Sequence, residues 1–236
     1  LIEISRMAEH NFVGTKCGVM DQFAVTMGQN NKLLLLNCKS LKYQLIDANF
    51  SPYKIVLLNS NVSHNLASSE YNTRRAECKL ALKIIQEQHA DFDFLTDVPE
   101  TIVESLKEKL PGKVYQRALY VSRENSRTLK AASLMQEGKI EGFGALMYQT
   151  HKGLSKNYEV SCSELDFLVG LTLDLPQVVG SRIMGGGFGG CSINLVKEDF
   201  VENLMEIAGE QYKKKFGITL TPILVETSNG VEITNS

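Results

Sequence analysis

A single acid stands beside a bare glycine in an otherwise apolar run, Cys17-Gly18-Val19-Met20-Asp21-Gln22, with Phe23-Ala24-Val25 behind it. An acid there is either part of a helix start or a working group. Asp21 heads Phe23-Ala24-Val25-Thr26-Met27, and Gly28 can close that segment in the left-handed conformation. The run therefore predicts a short helix with Asp21 in its first turn, where the helix dipole favours a carboxylate and acids commonly cap. Glu9 lies a short way upstream. Taken alone it is a solvated surface glutamate, since Glu is rarely buried.

The second candidate is Gly185-Gly186-Gly187-Phe188-Gly189-Gly190. Gly185, Gly187 and Gly190 match the GxGxxG spacing. A dinucleotide fold, however, needs a helix straight after that loop to meet the pyrophosphate. Cys191 to Val196 reads as a strand instead. A P-loop needs Lys-Ser/Thr after its last glycine, and Cys191-Ser192 does not supply it. The loop is thus a strand–turn–strand device. Each glycine costs roughly 0.5–1 kcal/mol of extra ordering, so five glycines exceed what a turn requires. Close approach of bare backbone to a ligand or to another loop is favoured.

The elements that must position these residues follow from pattern. Leu1 to Phe12 predicts the end of a helix with Ile4, Met7, Ala8 and Phe12 on its apolar side. Leu33 to Leu36 predicts a buried strand and Tyr43 to Ile46 a second one. Pro52 marks a break and a domain boundary near Asn49 to Pro52. Lys54 to Leu58 predicts a third strand that ends in the polar cluster Asn59-Ser60-Asn61. Ser69 is a good N-cap for a helix running to about Gln88, with Cys78, Ala81, Leu82 and Ile85 as its core stripe. Tyr71 falls in its first turn, where a partly buried aromatic is the plain alternative to a functional one. Helices follow at Pro99 to Leu110, Val114 to Glu137 (apolar at Ala118, Val121, Leu129, Ala132 and Met135, stopped by Gly138), Ile140 to Thr150 and Ser163 to Leu171. Val178 to Met184 is a strand, Glu198 to Phe216 a closing helix with Val201, Leu204, Met205 and Ala208 inward, and Ile218 to Val225 a last strand. Pro222 puts that strand at an edge. Clustered rather than alternating helices indicate α+β with an antiparallel-rich sheet.

Composition bounds the function. The 236 residues are 43% hydrophobic and 22% charged, with a formal net charge of −2, as in an ordinary globular protein. Near-neutral charge argues against nucleic acid as the main partner, and Lys213-Lys214-Lys215 reads as a solvated face. The five cysteines are scattered and include no CxxC pair, so a reducing, cytoplasmic setting is expected. No apolar run approaches the roughly 18 residues of a membrane span. The four histidines lie far apart, so no HExxH zinc motif exists, and no GxSxG elbow is present. Leu1-Ile2-Glu3-Ile4-Ser5 reads as helix interior and has no methionine, as in the middle of a longer protein.

Taken together, Glu9 with His10-Asn11-Phe12-Val13-Gly14, CGVMDQF, Asn59-Ser60-Asn61-Val62, SSEYNTRR (Ser68 to Arg75) and GGGFGGC (Gly185 to Cys191) resemble the galactokinases, members of the GHMP small-molecule kinases. SSEYNTRR is the most specific of these blocks and GGGFGG the least. The resemblance implies a GHMP-kinase-like fold, with residues 1–50 as the remainder of an N-terminal domain and residues 51–236 as the C-terminal domain. It implies ATP-dependent phosphorylation of galactose at the anomeric hydroxyl. By position Asp21 corresponds to the catalytic acid, which accepts that proton or orients the oxygen for in-line attack. Such a carboxylate is a weak base, which suits late proton transfer and catalysis by positioning and charge. Glu9 corresponds to the Mg²⁺ ligand, one carboxylate beside ATP oxygens and water being the usual arrangement. Gly18 (by backbone), Asp21 and Tyr71 (by hydroxyl) match sugar-contacting positions, and Gly185, Gly186, Gly187, Gly189 and Gly190 match the superfamily's third motif.

Two family features are absent from the sequence: the N-terminal Arg, Gly-Glu-His and Asp motif, and the Gly-Leu-Ser-Ser-Ser phosphate loop. The chain is therefore expected to be the C-terminal part of a galactokinase, inactive alone, with galactose and ATP as substrates and as a monomer or weak dimer. An N-acetylgalactosamine kinase and a non-catalytic galactokinase-like sugar sensor remain as alternatives. The presence of both Asp21 and Glu9 favours an enzyme.

Overall fold

The structure is a computed structural model that describes residues 1–14, 17–63 and 67–232, with the side chains of 63 and 67–69 outside the description. Its centre is a four-stranded antiparallel sheet in the order β4-β5-β3-β6, formed by β3 (Tyr53–Ser63), β4 (Val178–Ile183), β5 (Gly189–Lys197) and β6 (Thr221–Val225). Alternation along the strands sends neighbouring side chains to opposite faces. Val56, Leu58 and Val196 pack on one face against α7 (Ser163–Thr172) and α8 (Val201–Phe216), where Leu168, Leu204, Ala208 and Tyr212 are buried. Leu195, with Ile55 and Ile193, faces α6 (Ile140–Gly153) on the other side. Helix α6 lies so close to β4 that a Cβ on Gly144 would sit 2.1 Å from the Val179 carbonyl oxygen. Fully burying a Leu or Val side chain contributes about 1.5–3 kcal/mol, so these two faces supply much of the stability.

A second core joins α3 (Ala67–Gln86), α4 (Glu100–Ser105) and α5 (Gly112–Gln136) through Ala81, Ile85, Val103, Leu106, Val114 and Ala118. The stripe expected on α3 is present, with Ala81 and Ile85 fully buried and Cys78 and Leu82 packed beside them. Ahead of the large sheet stand α1 (Ile2–Ala8), a wide helical turn at Glu9–Val13, α2 (Met20–Met27) and an antiparallel hairpin of β1 (Lys32–Leu36) and β2 (Tyr43–Asp47). Among the described residues no helix is long and apolar enough to cross a membrane.

The mixed α+β architecture and the edge position of Pro222 agree with expectation. Several local readings need correction. The apolar side of α1 is not buried: Ile4 is 71% and Phe12 90% exposed. Pattern reports that a face is apolar, not that something covers it. Strand β1 is half-buried rather than buried. Strand β3 does not end at Leu58 but continues through Asn59-Ser60-Asn61, with a register shift between Asn59 and Ser63. Gly28 is not left-handed (φ −57°). It is instead crowded, since a Cβ there would meet the Ala24 carbonyl oxygen at 2.8 Å, and its own carbonyl accepts from the Gly230 amide. Helix α3 starts at Ala67, so Ser69 lies inside it, and the side chain expected to cap it falls outside the described residues. Helix α4 spans only Glu100–Ser105. Of the apolar positions on α5, Ala118 and Met135 are buried and Leu129 is exposed.

Candidate active site

Asp21 occupies the first turn of α2 and is exposed. The N-cap of that helix is Val19, with no side-chain cap hydrogen bond, so Asp21 is not a cap. Upstream, His10 donates from Nε2 to the Cys17 carbonyl at 2.9 Å and ties the wide turn to the chain just before Gly18. Gln22 reaches back with Nε2 to Cys17 Sγ at 3.8 Å, while its Oε1 is buried without a partner among the described residues. Glu9 opens the wide turn and is half-buried. Among the described residues, neither Glu9 nor Asp21 has a hydrogen-bond or ion-pair partner. At Gly18 a Cβ would meet nothing within 4 Å, and the backbone does not require a positive φ. The fold itself therefore gives no reason for glycine at this position. Bare backbone facing open space is what a closely bound ligand would need.

The glycine loop joins β4 to β5 as a strand–turn–strand, as expected. Gly185, Gly187, Phe188, Gly189 and Gly190 all have positive φ, from 60° to 125°. At Gly187 the loop is also crowded. The Phe188 amide donates to the Val160 carbonyl at 2.7 Å, and a Cβ on Gly187 would lie 2.1 Å from that same oxygen. The Met184 amide bonds the Cys191 carbonyl at 3.0 Å. Ser60 is fully buried and donates from Oγ to the Gly190 carbonyl at 2.7 Å. Asn61 binds the Thr219 carbonyl and Thr221 Oγ1, both at 2.8 Å. The polar run in β3 is thus the clamp between this loop and the last strand. Tyr71, half-buried and at the start of the second turn of α3 rather than in the first, stands over the loop: a Cβ on Gly186 would lie 4.0 Å from its Cδ2. The structure so brings Tyr71 and the glycine loop together. Glu9, Gly18 and Asp21 form a separate group around α2, with no side-chain hydrogen bond or ion pair to the first among the described residues.

Sequence reasoning missed the ionic cluster behind Val160. Arg117, in the middle of α5, is fully buried, and Arg74 of α3 is 8% exposed. Glu77 Oε2 bridges them, at 3.0 Å from Arg117 Nε and 3.2 Å from Arg74 NH1. Both guanidinium groups also bind the segment just before Val160. Lys113 first, and Arg117 with it, hold the Glu159 carboxyl down to about 2 by hydrogen bonding. On the far side of the same segment, Ser155 and Ser161 donate to Asp166 at 2.8 and 2.5 Å. The buried His151 Nε2 lies 3.2 Å from Asp166. Burial pushes that imidazole below its ordinary value. The available signal was Arg74 within SSEYNTRR. For Arg117 there was none, because an arginine on an amphipathic helix reads as solvated.

Among the described residues no group of three or more His, Cys, Asp or Glu could hold a metal ion. The chemistry present is that of two carboxylates unpaired among the described residues, a tyrosine and a glycine-rich backbone turn. Residues 131–214 match the family description "GHMP kinases C terminal". Over 100% of its length the chain is 39% identical to the galactokinase of Clostridium acetobutylicum, of which it spans 61%. It is 40% identical to that of Thermotoga petrophila, covering 98% of this chain and 64% of the relative. The crystal structure of Lactococcus lactis galactokinase complexed with galactose superposes with a TM-score of 0.92 at 30% identity, over 97% of this chain and 59% of that one. The chain thus spans about three fifths of the length of these relatives. Residues 131–214 thus carry a likeness to the C-terminal part of the GHMP kinases, and the fold is similar to that of the Lactococcus lactis galactokinase over nearly the whole chain.

Proposed function

We propose that this chain is the part of a galactokinase that presents the catalytic carboxylate and one wall of the sugar site. The reaction is transfer of the ATP γ-phosphoryl group to the anomeric hydroxyl of galactose, giving galactose 1-phosphate and ADP. The observation that carries this reading is the likeness, over nearly the whole chain, to a galactokinase solved with galactose. Residues 1–50 belong to an N-terminal domain and residues 51–236 to the C-terminal one.

Asp21 is exposed and unpaired among the described residues, so its carboxylate is free to accept a hydrogen bond from the anomeric hydroxyl and take its proton as the bond to phosphorus forms. Gly18 offers backbone to the sugar without a side chain in the way. Tyr71 supplies a hydroxyl, and the glycine loop a shaped backbone surface beneath it. Glu9 fits a Mg²⁺ site of the kind in which one carboxylate is joined by phosphate oxygens and water, since it has no competing cation among the described residues. A Mg²⁺ held there would neutralise charge on the phosphates.

The test is ADP release by the full gene product that contains this chain, offered galactose or N-acetylgalactosamine. Turnover with galactose at least about tenfold above the analogue supports the assignment, since a sugar pocket that lacks room for the extra group discriminates by that much. Turnover only with the N-acetyl sugar, or with neither, rejects it.

A further inference from the structure

We propose that Arg74 and Arg117 are positioning residues for the sugar site, acting through Val160 on the glycine loop; this rests on the galactokinase reading. The chain of contacts is continuous. Arg74 donates from Nε to the Tyr158 carbonyl at 2.8 Å and from NH2 to the Glu159 carbonyl at 3.2 Å. Arg117 donates from NH1 to the Asn157 carbonyl and from NH2 to Glu159 Oε2 at 2.8 Å. Three consecutive backbone carbonyls, 157 to 159, thus end on two guanidinium groups. The next carbonyl, that of Val160, receives the Phe188 amide and touches Gly187.

Glu159 itself is left-handed (φ 55°, ψ 52°), a conformation that costs a non-glycine residue of order 1 kcal/mol and persists only where neighbours enforce it. The two arginines are those neighbours. Asp166 holds the segment again at Ser155 and Ser161, so its path is fixed on both sides of the carbonyls. Arg74 also lies one turn beyond Tyr71 on α3. One buried side chain therefore sets the tyrosine's helix and the loop beneath it in a common frame. A buried ion cluster is weak evidence for stability in itself, because desolvation offsets much of its attraction. Its consequence here is geometric: in a loop where five residues have positive φ, the anchor at Phe188 is a carbonyl whose position is set from behind.

The direct readout is amide hydrogen exchange at Phe188 in the chain, compared between wild type, Arg117→Met and Glu159→Gln. The second variant is partly exposed and protects the test if burying methionine prevents folding. The proposal expects Phe188 protection to fall by about tenfold or more while amides of the β3–β5 ladder stay within about twofold, since local opening is then separated from global unfolding. Equal loss at Phe188 and the ladder, or no loss in either variant, overturns it. In the full gene product the same variants should lower kcat/KM for galactose by about tenfold, mainly through KM, as expected when a binding surface is misplaced. Loosened Phe188 with unchanged galactose kinetics overturns the functional half of the proposal. Loosened Phe188 in a protein whose wild type never turns galactose over supports the anchoring and rejects the kinase reading alone.

Discussion

The glycine loop and the Glu9–Asp21 segment are the two halves of the candidate site, and they are built in opposite ways. The loop is fixed from three directions, by Val160, by Ser60 and by its own closing pair Met184 and Cys191. Among the described residues the side chains of Asp21 and Glu9 are unpaired, and of the apolar residues near them Phe12, Val13, Met20 and Val25 are exposed while Val19 and Phe23 are buried. Catalysis by positioning requires rigid surfaces where the substrate is shaped and unpaired groups where charge changes. In the loop the sequence is constrained by the fold. Around Asp21 the fold leaves the residue types unexplained, which is why they point to chemistry.

Substitution at two glycines breaks that comparison most sharply. Gly187→Ala places a Cβ 2.1 Å from the Val160 oxygen at φ +83° and should cost at least about 2 kcal/mol in urea unfolding, from overpacking and backbone strain together. Gly18→Ala has open space and should stay within about 0.5 kcal/mol of wild type while weakening galactose binding. Equal stability losses would erase the distinction between the two halves. A smaller effect is expected at Ser60→Ala, which removes the donor to the Gly190 carbonyl. About 0.5–1.5 kcal/mol should be lost in the same unfolding assay, the net contribution of one hydrogen bond.

The Glu159 contacts give a pH dependence. Its folded-state value is about 2 against an ordinary 4.5, so its contribution is present above pH 4.5 and is lost as pH falls towards 2. Acid titration of unfolding midpoints should therefore show a shallower fall below pH 4.5 in Glu159→Gln than in wild type. The smallest effect belongs to the open half: Phe12→Ser, at a side chain 90% exposed, should change stability by less than about 0.5 kcal/mol.

Much of this was legible in the sequence where one rule dominated locally. The absence of a helix after GGGFGG, the stripe on α3 and Pro222 in an edge strand each follow from a single backbone requirement. The misses share a cause in tertiary contact. Asn59-Ser60-Asn61 looked like a strand end because polar residues interrupt the alternation, yet Ser60 and Asn61 are satisfied by neighbouring chain and Asn59 within its own strand. Arg117 gave no signal, because a helical pattern says nothing of the carbonyls brought to it from 40 residues away. The exposure of Ile4 and Phe12 was not legible, because an apolar pattern cannot show whether a partner is there. In the candidate site, the strand–turn–strand form of the glycine loop was legible from spacing, Asp21 stood out as a catalytic candidate only through resemblance, and the support behind the loop was invisible.

The most direct measurement is galactose-dependent ADP release by the full gene product with Asp21→Asn, alongside its unfolding midpoint. Asp21 has no partner among the described residues, so the account predicts an unchanged midpoint with kcat reduced by about 10²–10⁴, the range for losing a general base. Turnover within a few fold of wild type in a stably folded Asp21→Asn protein would contradict it.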